Sequence, residues 1–334
     1  MSVVGRLAEL EAELERESDG GASTAGESWT ILRMILWSAK YLTEKGVESG
    51  RLDAEWLLSA ALGLDRLQLY MQYDRPLSTE EREAFKPLLR RRASREPLQY
   101  IIGRTGFRHL ELKTDPRVLI PRPETEVLVQ EVLDWASAGP GSAGRVGSGR
   151  GDARAGQVWD MGTGTGAVAL SLAAEGTWAR VVATDVSPAA LSVAADNAER
   201  HELSGLVEFR EGSLFEPLEE REQFDVIVSN PPYIADGERG ALQPEIRDWE
   251  PPEALFAGED GLEVIRQLVA GAPEHLSCGG LLALECGLGQ AERIAADLNA
   301  TGAFAAVRIR PDLTGRPRVV MAERSGPVNG RVTG

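Results

Sequence analysis

Between residues 157 and 323, β-type and helical patterns take turns along the chain. Apolar, β-branched runs at 157–161, 180–184, 206–210, 224–229, 280–286, 304–309 and 317–323 read as strands. Apolar residues at helical spacing predict helices at 166–175, 187–201, 260–271 and 289–300. Such alternation points to an α/β fold, a seven-stranded doubly wound, Rossmann-like sheet with right-handed crossovers. In that architecture a ligand sits beyond the carboxyl ends of the strands, where the strand order switches.

The region before the alternation has a different character. Residues 1–27 read as a flexible extension, with Leu7, Leu10 and Leu14 at helical spacing and a Gly/Ser/Thr-rich tether at Ser18–Gly26. Residues 28–105 read as a helical domain only. One apolar stripe is Ile31, Leu32, Ile35 and Leu36; a second is Leu52, Trp56, Leu57, Ala60 and Ala61. Ser78 and Glu81 form a capping box that starts a helix running toward Arg92. Over 85–108, Lys86, Arg90, Arg91, Arg92, Arg95, Arg104 and Arg108 stand against Glu96, a net of +6. That run is either a solvated helix face or a docking patch for a macromolecular partner.

Phe107, Leu110, Leu112, Val118 and Ile120 alternate, so 106–122 reads as a β-hairpin linker. The second domain then covers 123–325, with 326–334 as a tail. Within it, 138–156 holds seven glycines in nineteen positions and reads as a flexible insertion loop. Its random-coil reach is about 25 Å.

Composition narrows the function. The 334 residues carry 36 Lys+Arg against 52 Asp+Glu, a net charge of −16. Such a chain does not coat itself with nucleic acid or anionic lipid through bulk charge. Cys278 and Cys286 make no disulfide framework, and His109, His201 and His275 lie far apart, so no metal is expected. No run of about 18 apolar residues suggests a membrane span. Met1–Glu17 has no apolar core of a signal peptide, which leaves the cytoplasm as the default compartment and a monomer as the simplest state.

The first strand of the alternation ends in Asp160-Met161-Gly162-Thr163-Gly164-Thr165-Gly166. Glycines there let a ligand approach the backbone, and the following helix presents free N–H groups. The next strand ends at Asp185, 19 residues after Gly166, where an acid can take both hydroxyls of a ribose. Three readings stay open on this feature: S-adenosylmethionine, a nicotinamide dinucleotide (Gly162, Gly164 and Ala167 also fit G-x-G-x-x-A), or a structural turn.

The fourth strand, Phe224–Ser229, runs directly into Asn230-Pro231-Pro232-Tyr233. Proline lacks an N–H and forces its predecessor extended, so this loop is stiff and offers carbonyls rather than donors. The Asn230 side-chain carbonyl and the Pro231 backbone carbonyl together suit a planar –NH₂ group with two donors. Tyr233 adds a flat face. A carboxamide, adenine N6 or cytosine N4 fits, and each is a poor nucleophile because its lone pair is delocalised. Holding both N–H groups would aim that nitrogen at an electrophile such as a sulfonium methyl. Alignment of this kind can supply up to about 7–11 kcal/mol.

These residues resemble the class I methyltransferases acting on exocyclic or amide nitrogen, and more closely the protein-(glutamine-N5) methyltransferases of peptide chain release factors, the HemK/PrmC family. The resemblance covers about 28–325. It rests on Ile120-Pro121-Arg122-Pro123-Glu124-Thr125-Glu126, the Gly162–Gly166 loop and Ser229-Asn230-Pro231-Pro232-Tyr233-Ile234. It extends to Glu250-Pro251 through Gly261, to Glu285–Gly289 and to Asp312–Arg316.

The resemblance implies that Gly162, Thr163, Gly164, Thr165, Gly166 and Asp185 hold S-adenosylmethionine. It implies that Asn230 touches cofactor and substrate, and that Asn230, Pro231, Pro232 and Tyr233 seat the glutamine. It places Gly212–Phe215 beside the adenine, with Leu214 where relatives often carry Trp. The implied partner is a release factor whose Gly-Gly-Gln loop is methylated, which modulates translation termination. An N6-adenine methyltransferase would use the same clamp but needs a basic groove and base flipping. Here 215–263 count 14 acids and 3 bases, a net of −11 that repels phosphate. A silent scaffold would have no need of an intact glycine loop, Asp185 and Asn230.

Overall fold

The computed structural model describes residues 28–138 and 156–326. The readings made for 1–27, for 139–155 and for 327–334 lie outside the described residues. The chain divides into two compact units that meet in sequence at Gly103 and Arg104.

The first unit is helical. Its helices are α1 (Ile31–Glu44), α2 (Gly50–Leu62), α3 (Arg66–Met71), α4 (Thr79–Ala93) and α5 (Leu98–Ile102). Ser78 caps α4 through the expected reciprocal pair with Glu81. Ile31, Leu32 and Ile35 are buried, as the first stripe requires.

The second stripe needs correction. Leu52 is 43% exposed, and the buried face of α2 is Ala54, Leu57 and Leu58. Two acids share that face, which hides it from a hydrophobicity pattern. Buried Asp53 accepts from Arg92 Nε at 2.6 Å, and buried Glu55 accepts from Arg66 Nη2 at 2.6 Å and from the Tyr70 hydroxyl at 2.9 Å.

The basic run is likewise not one patch. Arg92 is buried on Asp53, Arg91 pairs with Glu96, and Lys86 pairs with Glu83. Arg104 and Arg108 belong to the second unit, paired with Glu111 and Glu175. The net of +6 is spent largely on internal ion pairs.

The second unit opens with an antiparallel hairpin, β1 (Arg104–Phe107) and β2 (Leu110–Lys113). The hairpin reading extended too far. Pro116 cannot donate to a ladder, and Arg117 N and Val118 N turn back onto Asp115. Val118 is nevertheless buried, against Ala190 and Val193.

The remaining elements are α6 (Pro123–Ala138), β3 (Gly156–Met161), α7 (Ala167–Glu175), β4 (Trp178–Asp185), α8 (Pro188–Arg200), β5 (Val207–Glu211) and β6 (Phe224–Ser229). They continue with α9 (Pro244–Arg247), α10 (Glu263–His275), β7 (Leu276–Glu285), α11 (Ala291–Ala300), β8 (Phe304–Pro311) and β9 (Pro317–Arg324). All seven strands expected from the pattern are present. β7 starts earlier than expected, at Leu276, because Gly279 and Gly280 weaken the strand signal inside it.

The seven strands form one sheet in the order β5-β4-β3-β6-β7-β9-β8, parallel except for β9, which is antiparallel to both neighbours. Both faces are covered, so strand residues alternate between two cores. Val158, Val226, Val228, Leu281 and Ala283 face α6 and α7, while Trp159, Ile227, Leu282 and Leu284 face α10 and α11. The strand order reverses between β3 and β6. Their carboxyl ends carry the glycine loop and the Asn-Pro-Pro-Tyr loop side by side. Among the described residues, no helix is long and apolar enough to cross a membrane.

Candidate active site

The glycine loop is shaped by its backbone. Gly162, Gly164 and Gly166 have φ of 72°, 54° and 83°, the left-handed region that glycine enters without strain. A Cβ on Gly162 or Gly164 would meet open space, whereas one on Gly166 would lie 2.9 Å from Leu170 Cδ1. The first two glycines thus leave room for a ligand, and the third lets α7 pack closely.

Beneath the loop, Asp160 Oδ2 accepts from Thr163 Oγ1 at 2.7 Å and from Ala169 N at 3.1 Å. Burial pushes the Asp160 carboxyl up to about 7, against those two bonds. Asp185 fixes the loop from the side: it accepts from Gly164 N and from Ser187 N, each at 2.9 Å. Burial also raises the Asp185 carboxyl above its ordinary value.

The Asn-Pro-Pro-Tyr loop is held by residues distant in sequence. Ser229 Oγ donates to Met161 O at 2.7 Å and ties the two strand ends together. Asn230 Nδ2 donates to Thr125 Oγ1 at 3.0 Å, and Thr125 Oγ1 donates to Glu285 Oε2 at 2.6 Å. The Tyr233 hydroxyl donates to Glu285 Oε1 at 3.4 Å. Asn230 Oδ1 is buried and has no hydrogen-bond partner. Burial pushes the Glu285 carboxyl up to about 7 and raises the Tyr233 hydroxyl as well.

Further along, Gln290 Nε2 donates to Tyr233 O at 2.9 Å, and Ile234 exchanges backbone bonds with Leu255 and Ala257. Gly261 sits against this turn: with φ of 71°, any Cβ there would lie 2.3 Å from Tyr233 O. Arg122 Nη2 grips buried Glu250 at 2.6 and 2.8 Å, which anchors the start of α6 to the segment after the clamp.

Two cavities meet at this point. One of about 250 Å³ is lined by Gly162, Gly164, Asp185, Leu214, Asn230 and Pro232, among others. A smaller one of about 100 Å³ is lined by Arg122, Asn230 and Tyr233 with apolar neighbours. Asn230 is common to both walls.

Of the residues singled out from sequence, Thr163 and Thr165 are buried and, like Gly166, line neither cavity. Pro231 is also buried and lines neither. Leu214 does border the larger cavity, in a left-handed conformation with φ of 48°. Sequence reasoning missed the parts played by Thr125, Glu250 and Glu285. Thr125 lay inside the Pro-Arg-Pro-Glu-Thr-Glu signature and Glu285 at a strand end, but nothing in one dimension joins them to Asn230.

The PrmC N-terminal domain model matches residues 33–103, and the methyltransferase small domain model matches 150–245. The release factor glutamine methyltransferase of Geobacter sulfurreducens is 47% identical over 88% of this chain and 96% of its own length. That of Deinococcus radiodurans is 43% identical over 85% of this chain and 95% of its own, and that of Rhodopirellula baltica 36% over 91% and 100%. The crystal structure of the release factor-specific protein-(glutamine-N5) methyltransferase of Alicyclobacillus acidocaldarius is 29% identical, with a TM-score of 0.36, over 64% of this chain and all of that one. With relatives at this identity matched over nearly their whole length, and with the glycine loop and the Asn-Pro-Pro-Tyr loop meeting at one switch point, the chain belongs to the release factor glutamine methyltransferase family.

Proposed function

We propose that the chain transfers a methyl group from S-adenosylmethionine to the side-chain amide nitrogen of the glutamine in the Gly-Gly-Gln loop of peptide chain release factors, in the cytoplasm. The observation that supports this reading most directly is Asn230 Oδ1: a buried acceptor without a partner, in the wall common to two cavities. A buried carbonyl left unmatched costs about 1–3 kcal/mol, so the site is built for a donor that arrives with the substrate. A primary amide is such a donor.

The residues present fit S-adenosylmethionine. Gly162 and Gly164 leave open space where a side chain would stand, and Asp185, at the second strand end, lines the same cavity and would accept ribose hydroxyls. Leu214 would pack on the adenine, with less stacking than an aromatic. When bound, the cofactor supplies an electrophilic methyl on a positively charged sulfur.

Everything else is done by the chain. Asn230 Oδ1 accepts one amide N–H, and the Pro231 backbone carbonyl accepts the other although the Pro231 side chain itself is buried and outside both cavity walls. The amide nitrogen then presents its lone pair instead of a proton. The lone pair would then be aimed at the methyl that the bound cofactor supplies, and the amide proton would leave to water after transfer, so the chain need hold no strong base there. Tyr233 holds the planar amide by its face.

The acid-rich stretch 215–263 suits a basic protein surface better than a phosphate backbone. Incubating enzyme, cofactor and a release factor, followed by peptide mass spectrometry, tests the reading. The expected result is the mass of one methyl group gained on the Gly-Gly-Gln peptide. An unmodified factor beside methylated adenine in a nucleic acid would overturn it.

A further inference from the structure

The Pro-Arg-Pro-Glu-Thr-Glu signature is more than the start of a helix. Thr125 is 3% exposed and lies on the first turn of α6, and its hydroxyl stands between Asn230 and Glu285. We infer that Thr125 and Glu285 are positioning residues for the methyl transfer, fixing which way the Asn230 amide faces. This rests on the proposed role of Asn230 as acceptor for the substrate amide.

The argument is one of proton counting. A threonine hydroxyl has one proton to donate and lone pairs to accept. At 2.6 Å the Thr125 proton is committed to the Glu285 carboxylate. Its lone pairs then face Asn230, and only an N–H is welcome there. The Asn230 amide therefore turns Nδ2 toward Thr125 at 3.0 Å and leaves Oδ1, on a residue that lines both cavities, without a partner. Without the relay the two orientations of the amide are nearly alike in shape. The wrong one would present two donors to a substrate nitrogen that also carries two donors. Glu285 is thus a remote determinant of polarity at the site, 160 positions from Thr125 in sequence.

The polarity depends on Glu285 being ionised. A protonated Glu285 can donate to Thr125 Oγ1, which frees the Thr125 proton for Asn230 and favours the reversed amide. The groups facing Glu285 are Thr125 and Glu124 from α6, Tyr233 from the clamp, neighbouring Cys286, and Arg318 from β9. Burial and Glu124 favour the neutral acid, whereas Thr125, Arg318 and Tyr233 favour the carboxylate. With the carboxyl pushed up to about 7, turnover is lost as pH falls through that value.

The test compares Thr125→Val, Thr125→Ser and Glu285→Gln with wild type, using full-length enzyme and a release factor. Cofactor affinity is read by calorimetry and kcat and KM by methyl transfer. Thr125→Val keeps the shape without the hydroxyl and is expected to lower kcat about 10- to 100-fold, the scale of a misplaced reacting group. Its cofactor affinity and KM should stay within a few-fold of wild type. Thr125→Ser restores most of the turnover, and Glu285→Gln, which cannot titrate, lacks the acid limb near neutral pH. Wild-type kcat in Thr125→Val, or equal impairment in Thr125→Ser and Thr125→Val, overturns the inference. If Thr125→Val no longer binds cofactor, the pH profile of Glu285→Gln decides: an unchanged acid limb overturns the inference. Failure of wild type to methylate the factor at all would instead strike the proposed function.

Discussion

The two loops at the switch point are built in opposite ways. In the glycine loop, polar groups are matched mostly within the loop or to the adjacent strand, Thr163 to Asp160, Gly164 to Asp185, and Gly162 and Thr163 to the Thr184 carbonyl, with the Thr165 carbonyl taken by Asn197 of the nearby helix α8. In the Asn-Pro-Pro-Tyr loop, Asn230 is matched on one side only, by a residue 105 positions earlier, and its buried acceptor is left unpaired. On the proposed reading, one loop binds by shape and by room left for a ligand, and the other reads chemistry through one unpaired atom held by distant partners. A cofactor site can be made locally, because any part of a large ligand contributes contacts. A site that must tell an acceptor from a donor needs a second set of groups to break the symmetry of its own amide.

Removing the unpaired acceptor should have the largest effect. Asn230→Ala is expected to lower kcat by about 100-fold or more, as loss of a group aimed at the reacting centre does. Its thermal midpoint should stay close to wild type; collapse of the fold would instead make Asn230 a structural residue.

The glycines separate the two loops next. Gly261→Ala places a Cβ 2.3 Å from Tyr233 O at a positive φ, so it should destabilise the protein by about 1–3 kcal/mol and lower turnover together. Gly162→Ala adds a Cβ in open space, so it meets no clash; its φ of 72° should still cost about 1–2 kcal/mol of stability, and beyond that its effect should fall on cofactor affinity. Calorimetry beside thermal denaturation separates the two, and equal behaviour would remove the distinction drawn between the loops.

On the cofactor side, Asp185→Asn should weaken S-adenosylmethionine binding about tenfold, at the low end for bonds to a charged group. The change should leave kcat at saturating cofactor nearly intact.

Buried carboxyls give a smaller signature in stability. Asp160 and Glu285 have native values raised to about 7, so the native state holds their protons more tightly than the unfolded chain. Their contribution to stability is full at acid pH below the ordinary carboxylate range and is lost as pH rises through about 7. Glu285→Gln should match wild type near pH 5 and exceed it above neutrality. Denaturant titrations across pH read the difference.

The smallest effect concerns association. If the acidic stretch 215–263 accepts a basic protein surface, affinity for the release factor should fall a few-fold with added salt. Salt-independent binding would remove electrostatic complementarity from the account.

Periodicity alone was enough for the sheet. Strands such as Val158–Met161 and Phe224–Ser229 are buried on both faces, and their dense apolar content, broken only by Asp160, Asp225 and Ser229, is what a sheet covered on both sides requires. The glycine loop and the Asn-Pro-Pro-Tyr turn were equally legible, since positive φ and missing N–H groups are properties of residue types. The α2 helix was misread because Asp53 and Glu55 are buried by pairing with Arg92 and Arg66. The basic run misled for the same reason: composition counts charges but does not see their partners.

The sequence by itself determined a doubly wound sheet, a glycine turn after β3 and a stiff Asn-Pro-Pro-Tyr turn after β6, because each follows from local backbone preference and spacing. Only the tertiary structure decided which way the Asn230 amide faces. That depends on Thr125, Asn230 and Glu285 coming within hydrogen-bond range at the ends of three elements. A hydrogen bond is set by distances of a few tenths of an ångström, and no pattern along a chain encodes such a distance before the sheet has closed.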